Sequence, residues 1–252
     1  MQQITGQSTQ TIGHHRHAEQ KQAQATGHME KFTRHVYSLA RQVTLPHMLL
    51  ERLPHLLAIS LSLLILWSGI EPFARDVWIA EITPILMVFG GLTWLYPRFR
   101  FSNTAYLLMA CWLFWHTVGS HYTFANVPFS WFNELVGSER NQFDRVGHFF
   151  VGFYAFAIAE WLLRKRHCTY LLATLFSLFL IMSIAAAYEI VEYWFAVYYG
   201  GDAGIEFLGS QGDEWDAQKD MLADTLGAVT ALLLFAWLRP DRYESFPVRE
   251  RR

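Results

Sequence analysis

Four stretches of this sequence set ionisable side chains in apolar surroundings at spacings that share a helix face. Asp144-Arg-Val-Gly-His148 places a carboxylate and an imidazole at i,i+4, and Tyr188-Glu189-Ile-Val-Glu192 places two carboxylates at i,i+3. Asp216, Asp220 and Asp224 recur at i,i+4,i+8 in a stripe that runs on to Gly227, and His116 and His121 lie near the end of another apolar run. Carboxylates and imidazoles from several helices form a donor set for a divalent metal that activates water or polarises a phosphoryl oxygen. Hard oxygen donors favour Mg, Mn or Zn over copper. On this reading the ligands are His148, Glu189 and Asp220, joined by His121. Asp144 orients His148 through its other ring nitrogen, and Glu192 is the acid or base acting on bound water.

Simpler roles stand beside these. Asp144 suits an N-cap, and Asp216 and Asp220 lie near a helix start, where a carboxylate gains about 0.3 to 1 kcal/mol without any function. His116 could hydrogen-bond a neighbouring helix. Glu160 lies one turn before Arg164 and reads as an ion-paired residue. Glu189 and Glu192 lack helix-dipole compensation, so a cation, a proton or an Arg must neutralise them. Protons in place of a metal would make the same carboxylates part of a proton- or cation-coupled transporter. A third possibility is a non-catalytic envelope protein that binds a lipid head group or partner.

The elements that carry these residues are membrane spans. The 252 residues are 52% hydrophobic and only 17% charged, against the roughly 25% charged of an average soluble domain. A net charge of -2 gives no argument for a nucleic-acid partner. Two cysteines make neither a disulfide framework nor a zinc motif. Six apolar stretches approach the ~20 residues a helix needs to cross ~30 Å of hydrocarbon. They run over Pro54 to Ile70, Asp76 to Tyr96, Asn103 to Thr123, Asp144 to Leu163, Tyr170 to Tyr199 and Ala217 to Leu238. None alternates with period two, which excludes a barrel and leaves an all-α, polytopic helical bundle.

This bundle occupies 53–239. Residues 1–52 read as a polar, mobile tail with a surface helix over Phe32 to Leu50, and 240–252 as a basic tail. Sixteen of the 20 Lys and Arg residues fall on the side of the termini, and only Arg75, Arg140, Arg145 and Lys219 on the other. The positive-inside rule then puts both termini in the cytoplasm and the polar cluster at the outer face. Fifteen of the 22 acidic residues share that outer half. No internal repeat is visible, and the ionisable groups gather near one face, where an alternating-access site would sit at the midplane.

At the same residues the chain resembles the YjdF-like family of bacterial inner-membrane proteins. The runs that carry the likeness are Gly119-Ser-His-Tyr-Thr-Phe-Ala-Asn-Val-Pro128, Arg140-Asn-Gln-Phe-Asp-Arg-Val-Gly-His-Phe149, Tyr188-Glu-Ile-Val-Glu-Tyr-Trp194 and Phe207-Leu-Gly-Ser-Gln-Gly-Asp-Glu-Trp-Asp216. This resemblance implies a multi-pass inner-membrane protein with no assigned activity. A looser likeness links the C-terminal half to VanZ-like proteins through Asp144-Arg-Val-Gly-His148-Phe, Glu189 and Asp220-Met-Leu-Ala-Asp224-Thr-Leu-Gly227. Glu192 and Asp224 depart from that pattern, where Gln and Asn are usual. The likeness implies chemistry on a cell-envelope lipid or lipid-linked precursor, with the bilayer as the other partner.

Overall fold

Apolar runs of span length must satisfy their backbone groups internally. The computed structural model describes residues 47–243, and its regular elements are helices, with no strand among the described residues. In chain order they are α1 (His47–Ser68), α2 (Arg75–Leu95), α3 (Asn103–Tyr122), a 3-10 turn (Phe124–Asn126), α4 (Ser130–Val136), α5 (Phe143–Val151), α6 (Tyr154–Arg164), α7 (Tyr170–Tyr199), α8 (Gly201–Leu208), α9 (Asp216–Leu238) and α10 (Pro240–Tyr243). Four segments are long and apolar enough to cross a bilayer: α2, α5 with α6, α7, and α9 with the start of α10. Two of the six expected spans, α1 and α3, match them in length at 22 and 20 residues. Both dilute their apolar run, α1 with Glu51, Arg52 and His55 and α3 with His116, Thr117, Ser120 and His121.

The expected surface helix and most of the expected N-terminal tail lie outside the described residues. From His47 onward the chain is already α1, so the tail boundary placed at residue 52 falls inside a helix. Of the expected C-terminal tail, residues 240–243 form α10 and 244–252 lie outside the described residues.

The polarity of this bundle is inverted relative to a water-soluble one. Leu63, Leu66, Met87, Phe179 and Leu233 are more than half exposed, while Glu81, Glu160, Asp220 and Asp224 are at most 3% exposed. Such an apolar exterior belongs against lipid. At one end of the bundle the Glu160 carboxylate accepts from the Ser102 backbone N–H at 2.8 Å and from its hydroxyl at 2.6 Å, and pairs with Arg164 at 2.5 Å. Ser102 itself caps α3, accepting from the Ala105 N–H. Glu160→Gln keeps the shape but loses the charge on the acceptor. We expect about 1 to 3 kcal/mol of lost stability, read as a lower Tm in detergent.

The span expected over Asp144 to Leu163 is borne out as one membrane-capable segment, Phe143–Arg164, that tightens to i→i−3 hydrogen bonds at its middle. Its two halves, α5 and α6, are separated by Gly152 and Phe153, where the chain crosses α9 at backbone contact. A Cβ on Gly152 would meet the Ala228 nitrogen and the Asp224 carbonyl, and one on Gly227 would fall on the Phe149 carbonyl oxygen. Only glycines permit this approach, and it fixes how α5 faces α9.

A candidate metal centre between two helices

The crossing sets the acidic stripe of α9 against the Asp144–His148 face of α5. His148 is 7% exposed. Its Nδ1–H donates to Asp224 Oδ2 at 3.0 Å, which leaves Nε2 directed at Asp144 Oδ1 (3.6 Å) and Asp220 Oδ1 (4.0 Å). One donor atom each from Asp144, His148 and Asp220 lies within 4.8 Å of the others. Donors on one tetrahedral ion with bonds of about 2.0 to 2.2 Å lie about 3.3 to 3.6 Å apart, so side-chain movement of about an ångström would close this set on a metal. A carboxylate behind the ring nitrogen that faces away from the donors is the arrangement that orients a ligating histidine.

Two arginines flank this set. Arg145 Nη2 donates to Asp216 Oδ1 at 2.7 Å, and its Nε lies 3.1 Å from Asp220 Oδ1. That second contact is not aligned as a hydrogen bond, so Asp220 Oδ1 is buried without one, as are Asp224 Oδ1 and Glu189 Oε1. Arg140 pairs with Asp216 and lies 3.8 Å from Asp144. It also donates to the Ser210 carbonyl at 3.2 Å, which ties the loop before α9 to the start of α5. Lys219, in the first turn of α9, grips Asp213 of that loop at 2.7 Å and holds its carboxyl below the usual carboxylate range.

A cavity of about 230 Å³ opens beside His148. Asp144, His148 and Asp224 line one part of it; Glu81 and His116 line another, and α7 contributes Tyr188 and Glu192. His116 Nε2 lies 3.0 Å from Glu81 Oε2 and 3.1 Å from the Glu81 carbonyl, while Tyr188 donates to the same carboxylate at 3.2 Å. His116 thus bonds a neighbouring helix, α2, one turn before Pro84, whose missing N–H interrupts the helix ladder.

Among the expected site residues the fold brings Asp144, His148 and Asp220 together and sets Glu192 in the wall of the adjoining cavity. Glu189 sits one turn from Glu192 on α7 with a buried, unbonded oxygen. Two expectations need correction. His121 does not join the cluster: its Nδ1 lies 3.0 Å from the Ser68 carbonyl and its ring packs on Trp67 at 4.3 Å. Five residues along a helix turn the side chain by about 140°, so His116 and His121 cannot share the inward face, and His116 takes it. The orienting contact expected of Asp144 is made by Asp224, because Asp144 lies on the Nε2 side of the ring. Glu81 went unnoticed in the sequence, although a lone carboxylate amid Ile79-Ala-Glu-Ile in a span is itself a signal.

Residues 53–241 match a family described as predicted membrane protein DUF2238. The chain is 33% identical over 184 residues to the inner membrane protein YjdF of Escherichia coli strain K12, a stretch that covers 71% of this chain and 87% of that relative. No solved structure matches it.

Proposed function

The chain belongs to the predicted membrane protein family DUF2238, and from that premise we propose that it binds a divalent metal between Asp144, His148 and Asp220 for chemistry on a lipid-linked envelope substrate. The site lies at the periplasmic face of the bacterial inner membrane. The observation that carries this reading is the convergence of three donors within 4.8 Å, backed by Asp224 on the far nitrogen of His148. An ion there would neutralise buried carboxylates whose oxygens otherwise lack hydrogen bonds, and would supply the Lewis acid that phosphoryl or acyl chemistry needs.

Metal content tests it directly. Detergent-purified protein reconstituted with Zn, Mn or Mg should carry one equivalent of ion, and chelator should lower its Tm. His148→Ala and Asp220→Asn should each lower the affinity at least tenfold. Absence of stoichiometric metal, together with a Tm indifferent to chelator, would overturn the proposal. A stability transition with pH that shifts in Glu192→Gln but ignores metal would favour the transporter reading, in which protons neutralise the same carboxylates.

The placement follows the charge asymmetry: six spans, both termini cytoplasmic, and the cluster outside. Reporter fusions at Arg164 and Asp202 should report the cytoplasm and the periplasm respectively. The reverse result, or one side for both, would sink that topology.

A further inference from the structure

The cavity beside His148 holds a buried carboxylate, Glu192, that lies outside the proposed ligand set of Asp144, His148 and Asp220. Its lining holds four carboxylates, Glu81, Asp144, Glu192 and Asp224, and neither Lys nor Arg. Three of the four have partners: Glu81 has His116 and Tyr188, Asp224 has His148, and Asp144 has His148 and Arg140. Glu192 has none. It is 9% exposed, and no described residue gives it a hydrogen bond or an ion pair. A carboxylate withdrawn from water this far is costly unless a cation or proton compensates it. The rest of the lining is largely aromatic and aliphatic, with Trp112, Tyr154, Ile158 and Ile181 on it, and such side chains favour an apolar body.

We propose that this cavity binds an amphiphile carrying one ammonium group, with the ammonium against Glu192 and the apolar body along Tyr154, Ile158 and Ile181. An anionic head would meet four carboxylates, and a neutral one would leave Glu192 to be neutralised by a proton alone, so charge complementarity favours the cation. The volume limits the body. About 230 Å³ lies below the roughly 300 to 1,000 Å³ of pockets for drug-sized ligands, which suits one chain or ring system and excludes a pair of acyl chains. The ammonium can come from the amino head group of a membrane lipid or from a free lipophilic amine. This inference does not depend on the metal, and its test is run on chelator-treated protein for that reason.

The test compares two probes with one body and opposite charge, 4-phenylbutylamine and 4-phenylbutyrate, titrated by calorimetry into the full chain in uncharged maltoside micelles. The amine should bind saturably and at least tenfold more tightly than the acid. Glu192→Gln should weaken the amine at least tenfold. Ala185→Trp, which fills the apolar part of the cavity and leaves Glu192 in place, should also abolish binding, so the proposal stays open to test even if Glu192→Gln fails to fold. Equal affinity for the two probes in the unaltered protein, or full retention of amine binding in either variant, would overturn it. Competitors then separate the sources. Displacement of the amine by lysophosphatidylethanolamine but not by lysophosphatidylglycerol assigns the site to a lipid head group, and displacement by neither assigns it to a free amine.

Discussion

Gly227→Ala is expected to abolish the native bundle, giving protein that no longer elutes as one monodisperse species and that loses more than about 3 kcal/mol. Adding a methylene to a packed core commonly costs about 1 to 3 kcal/mol because side chains can shift to new rotamers. Here the added atom falls on the Phe149 carbonyl oxygen and within 3.2 Å of the Gly152 Cα, and both are backbone. Neither can move unless α5 moves away from α9 as a body. Because Asp224 and His148 each lie about one turn from the crossing, their 3.0 Å contact would break in the same movement. Gly90→Ala is the control, since a Cβ there meets nothing within 4 Å, and it should leave elution unchanged and hold or slightly raise the Tm, as Ala does in a helix interior. Fluorescence-detected size exclusion and thermal unfolding of the two variants decide the matter. A Gly227→Ala protein that melts like the unaltered one would remove the close crossing from the account.

Arg145→Met is expected to cost about 3 to 5 kcal/mol, the usual range when one member of a buried ion pair is removed and its partner stays charged. Asp220, at 3% exposure, has Arg145 as its one arginine contact among the described residues, whereas Asp216 keeps Arg140. The loss should therefore trace mainly to Asp220. Removing that charge as well, in Arg145→Met with Asp220→Leu, should recover a large part of the stability, and the double-mutant cycle measures the coupling. If a divalent metal occupies the site, its addition to Arg145→Met alone should also raise the Tm, because the ion supplies the missing positive charge. A cycle with no coupling energy would show that the 3.1 Å approach of Arg145 to Asp220 contributes nothing.

The sequence by itself determined the helical, membrane-embedded character of this chain and most of its element bounds. Tyr170–Tyr199 was expected and observed, and the run from Asn103 ends at Tyr122 instead of Thr123. These features are legible because span length and internal hydrogen bonding depend only on local composition. The i,i+4 and i,i+3 spacings likewise determined which residues share a face on each helix. The tertiary structure alone decided how those faces meet. It chose Asp224 over Asp144 for Nδ1 of His148, across 76 residues of chain. It turned His116 inward to Glu81 and left His121 against Trp67, and it tightened the fourth expected span at Gly152, where α9 approaches. The physical reason is that helical periodicity fixes directions around one axis, while the rotation and distance between axes come from packing between segments remote in sequence, here from two glycines in backbone contact.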